Sequence, residues 1–309
     1  MRIDAVAPVA EVTRNERIES IHHGAVVALA ADGSTALTVG DPDVAVYPRS
    51  ALKPLQAEAM LQAGLVLEPQ LLAVACGSHG GEPVHVATVR RILDGCGLNE
   101  SALDNSSALP LSTAAAHAVL RAGGGPSALA QNCSGKHAAM LATCVVNGWS
   151  LGDYLDVAHP VQRAIDTYLA NAAGAVLHTG IDGCGAPTAM LSLVGLARAV
   201  RNLAVTGAAS YVAMTTWPEL VDGAGRADTS LMRAVPGLIA KSGAEAVYVA
   251  ASGDGRAVAL KIADGNDRAR LAVMLAALTS LGFDVSGVSV PPVLGHGRPV
   301  GAVRSLVGG

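Results

Sequence analysis

The segments of this 309-residue chain that alternate like strands lie at its two ends, and the long stretch between them has the periodicity of helices. Strands so far apart in sequence satisfy their backbone hydrogen bonds by pairing across the whole chain. The pattern therefore predicts an α+β fold: one antiparallel sheet built from N- and C-terminal strands and covered by a helical region. At the first end, HHGAVVALAADGSTALTVG turns at Asp32-Gly33, a two-residue hairpin signal, and DPDVAVYPRS adds a strand edge. At the other, EAVYVAAS and RAVALKIADG flank GDG as a second hairpin, and NDRARLAVMLAALTSLG follows as an amphipathic helix. The sheet is expected from about 1–49 and 245–309, with helices over about 50–244. No segment has the composition of an interdomain linker and no repeat is visible, so a single domain is expected.

The first helix is expected to start at Ser50. SALKPLQAEAMLQAGL puts Leu52, Leu55, Ala59 and Ala63 on one stripe, with Ser50 as N-cap, Pro54 in the first turn and Gly64 at the far end. Further helices are expected near 82–95, 112–122, 135–146, 155–172 and 186–202. Apolar residues make up 51% of the chain and aromatic ones 3%, so the core is built from Ala, Val and Leu. A net charge of -4 with scattered arginines gives no footprint for nucleic acid. No apolar run reaches the length of a membrane span, and the charged N-terminus lacks the core of a signal peptide. These features predict a cytoplasmic protein with a small neutral or zwitterionic ligand and no membrane or nucleic-acid partner. Five cysteines, an odd number, argue against a disulfide framework. Cys76, Cys96 and Cys144, flanked by Ala, Val or Gly, are expected to be buried like small hydrophobes.

Only four lysines stand beside seventeen arginines, and three of them sit in patterned segments: Lys53, Lys136 and Lys261. A desolvated ammonium can lose its proton where a guanidinium cannot, so lysine serves as a base or a metal donor. Ser50 and Lys53 form an SxxK pair at a helix start, in which a neutral amine could take the serine proton and leave a nucleophile. Ser78 and His79 follow in the Gly-flanked loop ACGSHGGEP, and Lys261 lies in the last predicted strand. Serine hydrolases of the beta-lactamase and penicillin-binding type use the same order, with the final lysine on an edge strand. The plainer reading makes Ser78 an N-cap for the helix near Glu82, Lys261 a solvated strand residue and His79 a satisfied loop histidine.

A second cluster joins NCSGKH, over 132–137, with the Gly-rich turn DGCG, over 182–185. Two cysteines and a nitrogen donor could hold a metal such as zinc, with a position left open for water or substrate. A helix cap and a tight turn would explain the same residues. SGK lacks the preceding glycine of a phosphate loop, so a nucleotide ligand is not expected.

Taken together, RSALKPLQ, CGSHGGE, NCSGKH, DGCGAP, MTTWPELVDGAGRADTSLM and ALKIADG resemble the asparaginase II family, the rhizobial-type L-asparaginases, over nearly the whole chain. The resemblance implies an L-asparagine amidohydrolase giving L-aspartate and ammonia, on a fold similar to that of serine beta-lactamases and class A-like glutaminases, usually as a homodimer. It implies two Ser-Lys pairs, Ser50 with Lys53 and Ser78 with Lys261. It makes Cys133, Lys136 and Cys184 zinc ligands, and Arg49, His137 and Asp182 substrate-side residues. The family often carries a further cysteine where Val247, Tyr248 and Val249 stand here. Outside the family, the same residues would suit a hydrolase of lactams or D-peptides, or a silent amino-acid-binding protein.

Overall fold

The computed structural model describes residues 2–308. Along the chain run β1 (Ala7–Arg14), β2 (Arg17–Leu29), β3 (Thr35–Val39), β4 (Ala45–Val46), α1 (Lys53–Gln62), α2 (Pro69–Ala75), α3 (Pro83–Gly95), α4 (Thr113–Arg121), α5 (Ser134–Asn147) and α6 (Pro160–Ala173). Then come β5 (His178–Ile181), β6 (Pro187–Ser192), α7 (Leu193–Val205), α8 (Ala209–Thr216), α9 (Pro218–Val221), α10 (Ala227–Ala234), β7 (Leu238–Gly243), β8 (Val247–Ser252), β9 (Ala257–Ile262), α11 (Arg270–Ser280), β10 (Val293–Gly295), β11 (Arg298–Gly301) and β12 (Val303–Ser305). The chain divides into two compact units, one of residues up to 51, 190–206 and from 230 on, the other of residues 52–189 and 207–229.

The first unit holds the antiparallel sheet, in the order β12-β1-β2-β9-β8-β7, with β3 paired to β2. Both ends of the sequence contribute, as the alternation requires. β8 and β9 are buried along their whole length because they lie inside the sheet, and α7 and α11 pack against them. Their Ala- and Val-rich sequences fit this position, since small side chains let a helix approach the sheet closely. Arg201 of α7 donates to the carbonyls of Gly255 (2.8 Å) and Ala31 (2.6 Å), which ties two hairpin turns together. β7 adds a strand ahead of the expected start at 245, and it forms one edge of the sheet.

The second unit is mostly helical. α1 packs on α5 and α6, and α2 packs on α3, α5 and α8. Gly135, in the first turn of α5, comes so close to α2 that a Cβ there would lie 2.4 Å from the Val74 carbonyl oxygen. Ser112 caps α4, within the helix expected near 112–122, its hydroxyl accepting from the Ala115 N–H.

Three expectations need correction. Ser50 is not the N-cap of α1: a 3-10 turn spans Arg49–Leu52, and the α-helix begins at Lys53. Pro54 has no N–H to give the Ser50 carbonyl, so the i to i−4 ladder cannot start earlier. The helix expected over 155–172 begins only at Pro160, whose ring favours the first helical position. The segment expected as a helix over 186–202 opens as strand β6 and turns helical at Leu193, where the Ser192 hydroxyl accepts from the Gly195 N–H.

The edge strand β7 ends against the turn that carries Ser50. A Cβ on Gly243 would sit 2.1 Å from the Pro48 carbonyl oxygen and 3.3 Å from the Ala51 nitrogen. Gly243→Ala should therefore destabilise the protein by about 2–3 kcal/mol, read as a lower urea midpoint. An unchanged midpoint would contradict this packing.

Candidate active site

All four lysines of the chain are buried: Lys53, Lys136 and Lys241 are 1% exposed and Lys261 is 8% exposed. A lysine normally keeps its head in water, so burying every one marks these amines as engaged with other groups.

In the second unit, Lys53 opens α1, and its amine donates to the carbonyls of Gly77 and Asn132, the latter at 3.3 Å. Ser78 Oγ lies 3.1 Å from the same nitrogen. Carbonyls only accept, whereas a hydroxyl can also donate. The two carbonyls and the Ser78 oxygen thus accept the three N–H groups that the amine carries when it is protonated, and Ser78 is placed to exchange a proton with that nitrogen once it is neutral.

The loop that carries Ser78 is held at several points. The Ser78 N–H donates to Val221 O at 2.7 Å. His79 Nδ1 accepts from the Gly81 N–H at 3.2 Å. Its Nε2 lies 3.0 Å from Ser134 Oγ, whose own hydrogen goes to Leu129 O at 2.8 Å. His79 is thus an Nε2–H donor and a satisfied loop histidine. Burial, then His85, Lys53 and Arg226, push its pKa well below the usual value, so the ring is neutral. Ser78 does not cap α3; Glu82 does.

Cys133 stands at the N-cap of α5, and its N–H is accepted by Gln131 Oε1 at 2.8 Å. Lys136 follows one turn on. Cys184 comes from the Asp182–Ala186 turn, closed by an Asp182 N–H to Ala186 O bond of 2.8 Å, with Gly185 at φ 91°. Lys136 Nζ lies 3.3 Å from Cys184 Sγ. The thiol of Cys133 is held well below its ordinary pKa because Cys184 donates its S–H to it; burial opposes this, and Lys53 and Lys136 reinforce it. The same bond, with burial, pushes Cys184 up. Burial opposes the Lys136 ammonium, but Cys184, Cys133 and Asp182 outweigh it and raise its pKa.

Two sulfurs and one nitrogen, all buried, form a donor set that fits zinc once the thiols and Lys136 give up their protons. Among the described residues no group of three or more His, Cys, Asp or Glu side chains is placed to hold a metal. The third donor of such a site would have to be the lysine.

The first unit holds Arg49, Ser50 and Lys261. Arg49 has φ 55°, a left-handed conformation that non-glycine residues rarely adopt, immediately before Ser50. Ser50 and Lys53 lie on one continuous stretch, a 3-10 turn running into α1. Lys261 Nζ donates to Glu245 O. Its strand β9 lies between β2 and β8, so it is not the edge-strand lysine the sequence pattern called for. Lys241 has that position. Its strand β7 ends in Lys241-Ser242-Gly243, beside the Pro48–Ala51 turn, and its amine donates to Ser242 O at 2.8 Å. The sequence signal was present in the lysine-hydroxyl-glycine triplet, but it was not singled out.

The model of the L-asparaginase II family matches residues 10–305. The chain belongs to the L-asparaginase II family. A comparison with curated proteins gives no match. Among solved structures, two of Mglu are similar, one described as its native form in the presence of 4.3 M NaCl. Identity is 14% and 13%, and the TM-score is 0.36 for both. The matches cover 82% and 84% of this chain, which spans only 59% of the first structure's length and 67% of the second's. Likeness at this level decides nothing, and the fold rests on its own strand order. Family membership agrees with the resemblance carried by the six motifs and names an amide-hydrolysing class. No helix among the described residues is long and apolar enough to cross a membrane.

Two outcomes follow from these environments. After loading with zinc and dialysis, metal analysis should find zinc kept in the wild type and mostly lost in Cys133→Ser; equal zinc in both would refute the donor set. Burial, with Arg49 in support, lowers the Lys261 pKa against the pull of Glu245, Asp264 and Asp267. The folded chain then binds fewer protons here than the unfolded chain, so stability rises with pH up to about 10.4. Lys261→Arg cannot titrate and should flatten that rise in urea midpoints taken at about pH 8 and 10; parallel slopes would contradict the assignment.

Proposed function

We propose that the protein is an L-asparagine amidohydrolase that works by acyl transfer through a serine. The observation that carries this reading is the buried Lys53 amine, placed between two carbonyls and the Ser78 hydroxyl at the head of an SxxK helix. Membership of the L-asparaginase II family supports the amide substrate.

In this reading Ser50 Oγ attacks the side-chain amide carbon of asparagine and its proton passes to Lys53. The tetrahedral intermediate collapses when the departing nitrogen takes that proton through Ser78, and ammonia leaves. Water then cleaves the aspartyl ester and returns a proton to Ser50. Backbone N–H groups of the Arg49–Leu52 turn are candidates for holding the oxyanion. A second amine is needed to hold charge on the Ser50 side. Lys241 and Lys261 are the two candidates, and the edge-strand position of Lys241 beside the Pro48–Ala51 turn favours it. Cys133, Lys136 and Cys184 would hold zinc, which when bound supplies a Lewis-acidic centre that orients the substrate's α-amino or carboxylate group. Arg49, His137 and Asp182 bind or orient the substrate in the same reading, and the homodimer implied by the family belongs to it as well.

Arg keeps the charge of Lys53 but cannot act as a base. Ammonia release from asparagine should therefore fall by about a hundredfold or more in Lys53→Arg, while circular dichroism stays unchanged. Near-normal turnover would refute the role. Lys241→Arg should cost far more turnover than Lys261→Arg, and the opposite order would return the second amine to Lys261.

A further inference from the structure

His137 is fully buried in the first turns of α5, and its Nε2 has no hydrogen-bond partner. Its other nitrogen, Nδ1, lies 2.9 Å from the Tyr154 hydroxyl. The Asp104 N–H donates to the same hydroxyl at 3.0 Å. Tyr154 is itself fully buried. A backbone amide only donates, so the tyrosine oxygen accepts from Asp104 and its single hydrogen is available to His137. If that hydrogen goes to Nδ1, the ring carries its proton on Nε2 and one buried donor is left over. The other tautomer strands two groups, the Tyr154 O–H and the Nε2 lone pair. Each stranded group costs about 1–3 kcal/mol, so the chain from the Asp104 N–H through the Tyr154 O–H to Nδ1 prevails.

A free Nε2–H needs an acceptor. A metal would need a lone pair there instead, and no cluster of three His, Cys, Asp or Glu side chains includes this ring among the described residues. The charges acting on the ring are those of Lys136 and Lys53, and it stands in the first turn of a 14-residue helix, where N–H groups favour an anion.

We propose that Tyr154 is a positioning residue that fixes His137 as an Nε2–H donor, and that the ligand of this site presents a carboxylate to that N–H. The proposal rests on the amidohydrolase reading only in taking L-asparagine and L-aspartate as the carboxylates concerned.

NMR of the full chain with 15N-labelled histidine reads the tautomer directly, with the His137 signal assigned by its loss in His137→Gln. The expected result is Nε2–H in the wild type, with the Nε2 signal moving on addition of L-aspartate and staying put with L-asparagine amide, which has no carboxylate. Tyr154→Phe should give mixed tautomers and raise KM for asparagine about tenfold, with kcat changed far less. An Nδ1–H ring in the wild type, an unchanged tautomer and KM in Tyr154→Phe, or equal responses to the two ligands would each overturn the proposal. Should Tyr154→Phe fail to fold, the wild-type tautomer and ligand response still decide it. If both are found but asparagine yields no ammonia, the amidohydrolase reading falls and this one stands.

Discussion

One buried amine organises the helical unit. Lys53 gathers the Gly77 carbonyl, the Ser78 hydroxyl and the Asn132 carbonyl around a single nitrogen, joining the start of α1, the loop before α3 and the turn into α5. Removing a charged ammonium from water is costly. The cost is offset when the group is fully hydrogen-bonded, or when it sheds its proton. A chain that buries all four of its lysines keeps its solvated positive charge on arginine and reserves amines for enclosed positions.

The same part of the structure concentrates polar chemistry that an ordinary core avoids. A Cys133 thiol whose pKa is held low, the Lys136 ammonium and the neutral rings of His79 and His137 all lie within or beside the first turns of α5 or the Ser78 loop. Each is kept in its state by named neighbours: Cys184 for Cys133, the thiols and Asp182 for Lys136, burial and nearby cations for the histidines. The close backbone approach at Gly135, where a Cβ would meet the Val74 carbonyl, leaves little room for the first turn of α5 to shift. Stability is spent here on fixing protonation states and directions, as expected of a site built for proton transfer.

Much of this was legible in the sequence. Alternation at both ends located the sheet, the Asp32-Gly33 and GDG turns located its hairpins, and periodicity placed α4 near 112–122. What failed did so for local reasons. The stripe from Ser50 reads as a helix, but periodicity takes no account of the N–H that Pro54 lacks. Residues 187–192 carry apolar side chains that suit either helix or strand, and pairing of β6 with β4 decided the outcome. Motif order singled out Ser50, Lys53, Ser78 and the Cys133, Lys136 and Cys184 set. It could not say which serine stands beside which lysine. Lys53 reaches Ser78 only because the chain folds back between them, and Lys261 was taken as the edge-strand lysine because strand order cannot be read along a sequence. Tyr154 gave no signal at all, since a tyrosine whose hydroxyl links a loop amide to a histidine looks in sequence like any other core aromatic.

The central claim is that a serine next to a buried lysine takes the acyl group from a carboxamide. A diazoketone analogue of asparagine, which alkylates the attacking nucleophile irreversibly, tests it most directly when the labelled peptide is identified by mass spectrometry. The account predicts the label on the peptide containing Ser50, with labelling abolished in Lys53→Arg. Full inactivation with the label on a cysteine or on Lys136, and none on a serine, would contradict it.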